Sequence, residues 1–356
     1  MARRSTALRA VLLVGVALVG SVACTSSAET SRSAAAAPTT SASPTPTPTP
    51  PPPPPPPPPV LWPLTGIESG PVPPRPALAV KIENSVDARP QTGLGAADVV
   101  WEEVVEGGIT RFVAVYHSTL PPEVGPVRSV RPMDPAIAAP LHGLIAFSGG
   151  QAGYVDALAA AGLQTVSFDR GDGGFHRIGA RSAPHNVYAD PAALLAQADA
   201  AHQAPPPVQF DLAAPGEPLP AGTPAAAVRL TLSGLSHPVW TWSEPDRSWL
   251  RAEDGRPAVE ADGTRLRATN VVVLRVTVVN TSARDAAGTP VPETVLTGSG
   301  EALVMTGGSA VPATWSKAGV GDRVVLTGAD GAPVRLAPGT TWVELVPLGS
   351  GAVAVG

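Results

Sequence analysis

The chain of 356 residues holds one cysteine, two lysines and three methionines, and Phe, Trp and Tyr make up 4% of it. A single cysteine excludes an internal disulfide and the paired thiolates of structural zinc sites. HxxxH and HExxH spacings are absent, and Asp169-Arg-Gly-Asp172 lacks the later bidentate Glu of a calcium loop, so no metal and no cofactor are expected. A G-x-S-x-G nucleophile elbow is missing as well: Ser148-Gly149-Gly150-Gln151 follows a strand-like run without the flanking glycine. Basic charge is scarce too. The formal net charge is −5, which argues against broad binding to nucleic acid or to anionic lipid.

Proline is what the chain has in excess, and it concentrates near the N terminus. Arg3, Arg4 and Arg9 precede an apolar run from Ala10 to Gly20, and Ser21-Val22-Ala23 places small residues before Cys24. This is the pattern of a signal peptide over 1–23. The apolar run falls short of the roughly 20 residues that span a bilayer. An exported lone cysteine directly after the cleavage site is expected to carry lipid at Cys24, although Ser21 stands where such signals usually have Leu, Val or Ile. Cleavage removes three arginines and no acids, moving the formal charge to −8. Residues 24–61 are rich in Ser, Thr, Ala and Pro, cannot bury enough apolar surface to offset their ordering entropy, and read as a disordered stalk. Its proline-rich second half favours polyproline II, roughly 50 Å of spacer at about 3.1 Å per residue.

Beyond the stalk the sequence divides at a Pro, Ala and Gly-rich segment, 205–227. The first part, 62–204, mixes strand-like runs at 77–82, 99–105, 111–117 and 144–147 with helical composition at 154–161 and 191–201, where Asp190 before Pro191 forms a cap and first turn. It is expected to be an α+β or α/β domain. The second part, 228–356, reads as almost all strand, with hairpin signals at Asp254-Gly255, Asp262-Gly263 and Asp330-Gly331, and is expected to be a mostly antiparallel β domain. Val271 to Val279 is its best central strand. Trp240, Trp242 and Trp249 fit its core better than a sugar-stacking face.

Three segments of the first part gather charge and glycine: Glu102 to Phe112, Gly125 to Pro132, and Phe175 to Tyr188. Arg111, Arg128, Arg131 and Arg181, with His185 and Asn186, would form a cationic pocket if these loops converge, and guanidinium forks match phosphate and carboxylate. Pairing of the same arginines with Asp98, Glu102, Glu103, Glu106 or Asp134 is the competing structural explanation. His176 and His185 are the available general acid or base, with Glu102 or Glu103 as the carboxylate in support.

The motifs PLTG at 63–66, ARPQTGLGAADVVWE at 88–102, EGGITRF at 106–112, GPVRSVRP at 125–132 and APHNVY at 183–188 resemble the YerB-like lipoprotein family, known by the domain of unknown function 3048. ATNVVVL at 268–274, TWSK at 314–317 and PGTTWVELVP at 338–347 resemble its second domain. Ser148 departs from the pattern, since relatives tend to carry histidine there. The resemblance implies a two-domain bacterial envelope lipoprotein and transfers no catalytic residue. Few lysines among many arginines and alanines point to an actinobacterial source. The reading that follows is a non-enzymatic binding or regulatory module on the outer face of the membrane, engaging an anionic wall component or a wall-synthesis protein. An extracytoplasmic hydrolase or transferase acting on wall glycan or phosphate esters is the alternative.

Overall fold

In the segment Val99–Val104, Val99 and Trp101 join one buried apolar cluster and Val100 joins another. This is the period-two alternation of a strand covered on both faces. The same alternation recurs through a computed structural model that describes residues 58–285 and 287–356. The expected signal peptide, Cys24 and the stalk up to residue 57 lie outside those described residues. Pairing begins at Val60–Leu61, which run antiparallel to Glu68–Ser69. Strands make up 42% of the structure and helices 10%.

The strands of the first segment are β1 (Leu78–Glu83), β2 (Val99–Val104), β3 (Thr110–Tyr116), β4 (Leu144–Phe147), β5 (Gln164–Ser167), β6 (Phe175–Arg177) and β7 (Val187–Ala189). Three short helices join them: α1 (Asp134–Ala138), α2 (Ala152–Ala160) and α3 (Pro191–Leu195). The second segment contributes β8 (Ala227–Thr231), β9 (Val239–Ser243), β10 (Ser248–Glu253), β11 (Asn270–Arg284), β12 (Pro290–Val295), β13 (Gly298–Thr306), β14 (Ser309–Lys317), β15 (Val325–Gly328), β16 (Thr341–Pro347) and β17 (Ala352–Val355).

One long mixed sheet runs through both segments, in the order β14, β13, β11, β16, β2, β3, β1, β4, β5. β16 lies parallel to β11 on one side and to β2 on the other, with Thr341 opposite Val99 and Glu344 opposite Glu102. The segments expected to be two separate domains are thus joined strand to strand. The connecting segment is itself packed: Phe210 stacks on Trp101 at 6.3 Å, and Ala213 N donates to Leu336 O at 2.9 Å. β11 is a central strand, with Val271–Leu274 buried, as its apolar run implies.

A second, antiparallel sheet of β10, β9, β8 and β17 covers one face of the long sheet. Trp240 and Trp249 from this layer are fully buried against Val80, Phe112 and Trp342. Trp240 and Phe112 each meet the Trp342 ring edge-on, with centroids 5.0 and 5.3 Å away. Burial of such a side chain contributes about 1.5–3 kcal/mol, and the aromatic geometry adds about 0.5–1.5 kcal/mol per pair. The opposite face is closed by α1 and α2 through Ile137 and Leu158, together with Leu64 and Leu336.

Candidate functional site

Charged residues interrupt the apolar alternation of β1, β2 and β3, and each appears on the face its position dictates. Glu83 of β1 pairs with Arg111 of β3, and Arg111 with Glu103 of β2, so an arginine sits in register between two carboxylates. Cross-strand pairs of opposite charge are the favourable arrangement there. Lys81, two residues before Glu83 and therefore on the same face, is fully buried between Glu103 and Asp134, with Nζ 2.7 Å from Asp134 Oδ1.

The GPVRSV segment crosses the end of β1, where Glu83 N donates to Pro126 O and Arg128 N to Lys81 O, each at 2.9 Å. Gly125 is required at the start of this segment, because a Cβ there would lie 2.7 Å from the Tyr188 ring. The crossing brings three arginines into one neighbourhood. Arg111 Nη1 donates to Ser129 O at 2.6 Å, Arg128 Nε stands 3.4 Å from Glu83 Oε2, and Arg131 Nε stands 2.6 Å from Glu106 Oε1. His185 arrives from the loop before β7 and places Nδ1 2.9–3.0 Å from both Glu83 carboxylate oxygens. Exposure rises from 4% at Arg111 through 12% at Arg131 and 20% at Arg128 to 24% at His185, so the cluster opens from the core toward solvent.

The electrostatics are close to balance. Lys81, Arg111, Arg128 and Arg131 face Glu83, Glu103, Glu106 and Asp134. Burial, and next the nearby Asp134, push the Glu103 carboxyl up to about 7, which tips the cluster toward positive charge near neutral pH. Burial, then Arg131 and Arg128, push Arg111 down to about 9, so it stays cationic. Arg128 Nε and Arg131 Nε are ion-paired with Glu83 and Glu106, whereas among the described residues the buried Arg111 Nε has no hydrogen-bond partner. An unspent guanidinium donor of this kind is costly without an acceptor.

Not every residue singled out from the sequence joins this cluster. Arg181 donates to Asp87 O and Pro90 O, at 2.5 and 2.7 Å, and so holds a neighbouring turn. Asn186 accepts from Arg177 at 2.5 Å. His176 is half exposed and pairs with Glu123 at 2.9 Å, outside the cluster. Glu102 and Glu103 are adjacent in a strand and therefore point to opposite faces.

Glu102 belongs to a second buried network, under the antiparallel sheet. Arg251 of β10 is 1% exposed and contacts Glu102, Glu253 and Glu344 at 2.6, 2.6 and 2.8 Å. Its guanidinium lies 4.9–5.5 Å from the Phe112, Trp240 and Trp342 ring centres. Trp240 Nε1 donates to Glu344 at 2.8 Å, while Thr110 and Asn84 donate to Glu102 at 2.6 and 3.1 Å. Burial, then the in-register Glu102, raise the Glu344 carboxyl well above the ordinary range.

Beside this network lies a cavity of about 500 Å³, whose floor includes Asn84, Gln91, Arg251 and Glu253. The sequence reading had not assigned these residues, nor Lys81, Glu83, Glu344 and Arg89. The available signal was a charge inside an otherwise apolar run, as in ALAVKIE, SWLRAE and TWVELVP, and the polar ARPQTG stretch. Among the described residues no group of three His, Cys, Asp or Glu could hold a metal ion. None of the described helices is long and apolar enough to cross a membrane.

The two sequence segments that share the long sheet correspond to two matched family domains. Residues 64–204 match the family described as "Protein of unknown function (DUF3048) N-terminal domain", residues 228–343 match the corresponding C-terminal domain, and the chain is a member of that family. Among its relatives, "Putative lipoprotein YerB" of Bacillus subtilis (strain 168) is 36% identical over 128 residues, which are 35% of this chain and 39% of that protein. The aligned stretch therefore spans well under half of that relative's length. A solved structure titled "Crystal structure of YerB protein from Bacillus subtilis" has a TM-score of 0.69 at 24% identity, over 83% of this chain and 99% of that one. At that identity the likeness speaks for the fold.

Proposed function

We propose that this chain is an extracytoplasmic lipoprotein, anchored through Cys24 on the outer face of the membrane, whose folded part is a non-enzymatic module that binds an anionic envelope component. The leader, the cysteine and the lipoprotein name of the relative support the location. One observation carries the binding reading: Arg111 is almost wholly buried, flanked by Arg128 and Arg131, and its Nε has no acceptor. A phosphate or carboxylate supplies that acceptor and the matching charge.

A thermal-shift series with inorganic phosphate, glucose 1-phosphate and glutarate tests it. A ligand that binds only the folded state at about 100 times its Kd adds about 2.7 kcal/mol of stability. At least one of these anions is expected to raise the melting temperature, and Arg128→Gln is expected to cancel the rise while melting within a few degrees of the parent. Absence of a shift with every anion would overturn the reading.

A second reading, hydrolysis or group transfer on wall glycan or phosphate esters, is favoured by the His185–Glu83 contact, since an imidazole oriented by a buried carboxylate is the requirement for general acid–base catalysis. Release of glucose or phosphate from glucose 1-phosphate, abolished in His185→Gln, would favour it over simple binding.

A further inference from the structure

The 500 Å³ cavity takes no part in the arginine cluster: it lies toward the opposite face of the sheet, where Asn84 and Phe112 line it. A smaller cavity of about 310 Å³ shares Asn84, Val86, Arg89 and Asp254 with it, so the two form one continuous depression. The larger volume falls within the roughly 300–1,000 Å³ range of small-molecule sites. Four polar side chains at its floor, Asn84, Gln91, Arg251 and Glu253, are each no more than 6% exposed, and Pro90, Val259 and Leu266 supply apolar wall.

Hydrogen-bonding capacity at the cavity floor is one-sided. Asn84 Nδ2 is spent on Glu102 and Thr110, and Arg89 on Asn84, Glu253 and Asp254. Arg251 is spent on its three carboxylates. Acceptors remain. Gln91 uses only Nε2, at 3.0 Å from Glu83 O and 3.0 Å from Asn84 Oδ1, and among the described residues nothing donates to its carbonyl oxygen. Asp254 uses only Oδ2. A guest that pairs with the Gln91 side-chain oxygen at the floor and the exposed Asp254 carboxylate at the rim, between apolar walls, has to donate hydrogen bonds and present C–H surface in the same small body. Arg89 balances Glu253 and Asp254, and the exposed Arg256 at the rim offers donors that a hydroxyl can accept from.

We propose that this cavity binds a saccharide unit through its hydroxyl or amino donors, independently of the anion-binding arginines. Calorimetric titration of the whole chain with cellobiose, the disaccharide of N-acetylglucosamine and the disaccharide of glucosamine tests this. At least one is expected to bind saturably, and preference among the three distinguishes hydroxyl, acetamido and amino recognition. Val259→Trp and Ala258→Leu, which fill the cavity from its rim and leave the floor intact, are expected to weaken that binding at least tenfold. Phosphate binding should stay unchanged in both variants, which separates this proposal from the arginine site. A failure of all three disaccharides to bind overturns the proposal. So does binding that both correctly folded filled variants retain.

Discussion

Two arginines on opposite faces of one sheet show how differently a buried cation can be provisioned. Arg251 has three carboxylates within 2.8 Å and a wall of aromatic rings, whereas Arg111 donates to one carbonyl and shares the nearby carboxylates Glu83, Glu103 and Glu106 with two neighbouring arginines. Removing one partner of a buried ionic group typically costs about 3–5 kcal/mol, because the other charges stay buried unpaired. Arg251→Met is therefore expected to lose about that much at pH 7 in urea unfolding. The loss should shrink toward pH 5, since carboxyls left without their cation have folded-state pKa values above the unfolded ones and gain stability as they protonate. A loss independent of pH would contradict the three-carboxylate account.

His117 provides an opposite sign. It is fully buried, both ring nitrogens lack partners, and burial, then Arg75, push it down to about 4. A group whose folded pKa is depressed below the ordinary 6.5 leaves the unfolded state binding more protons between those values, so stability falls as pH drops from about 6.5 toward 4. His117→Phe, which keeps the ring contact with Trp62 at 5.3 Å, is expected to be near-neutral at pH 7 and to remove roughly 1–2 kcal/mol of acid destabilisation by pH 5. Urea midpoints at the two pH values report this.

At the scale of elements, turn chemistry and alternation account for most of the secondary structure. Asp254-Gly255 makes the two-residue turn after β10, with φ of +51° and +73°, and Gly307-Gly308 makes the corresponding turn between β13 and β14, at +55° and +77°. A Cβ at Gly308 would also stand 2.8 Å from Trp242 Nε1. Gly308→Ala is accordingly expected to cost at least about 1 kcal/mol, through strain at positive φ and displacement of Trp242; an unchanged melting temperature would show that the hairpin relaxes freely. The Asp254-Gly255 hairpin and the apolar runs of β1–β4 were legible in the sequence. The helix expected over 191–201 was not: it ends at Leu195, and Asp199 instead accepts from the backbone of Ala201 and His202, a local turn that competes with helix. Likewise, strand period alone puts Glu102 and Glu103 on opposite faces, so only one of them can support a given site. That Glu83 would receive His185 from 102 residues away depends on a loop crossing that no local pattern encodes.

At the scale of the molecule, the long sheet makes the two family segments interdependent. β16 comes from the end of the chain and fills the place between β11 and β2, and Arg251 of the second segment neutralises Glu102 of the first. The two family matches end at 204 and resume at 228, and parallel pairing between distant strands leaves no local trace in the sequence. One cooperative unfolding transition is expected for residues 58–356, and residues 58–204 expressed alone should lack native tertiary structure, since β2 would expose an unpaired apolar edge. Near-ultraviolet circular dichroism of that fragment decides the point, and a folded fragment would contradict the interdependence.

The central claim is that the buried guanidinium of Arg111 awaits an anion. It is tested most directly by following arginine Nε–H resonances by nitrogen-15 NMR during titration with inorganic phosphate, with the Arg111 signal assigned by its loss in Arg111→Lys. A saturable shift of that resonance, together with those of Arg128 and Arg131, is the predicted result. An Arg111 resonance that stays fixed while phosphate reaches saturation elsewhere, or at every concentration reached, would contradict the account and leave the cluster as internal structure.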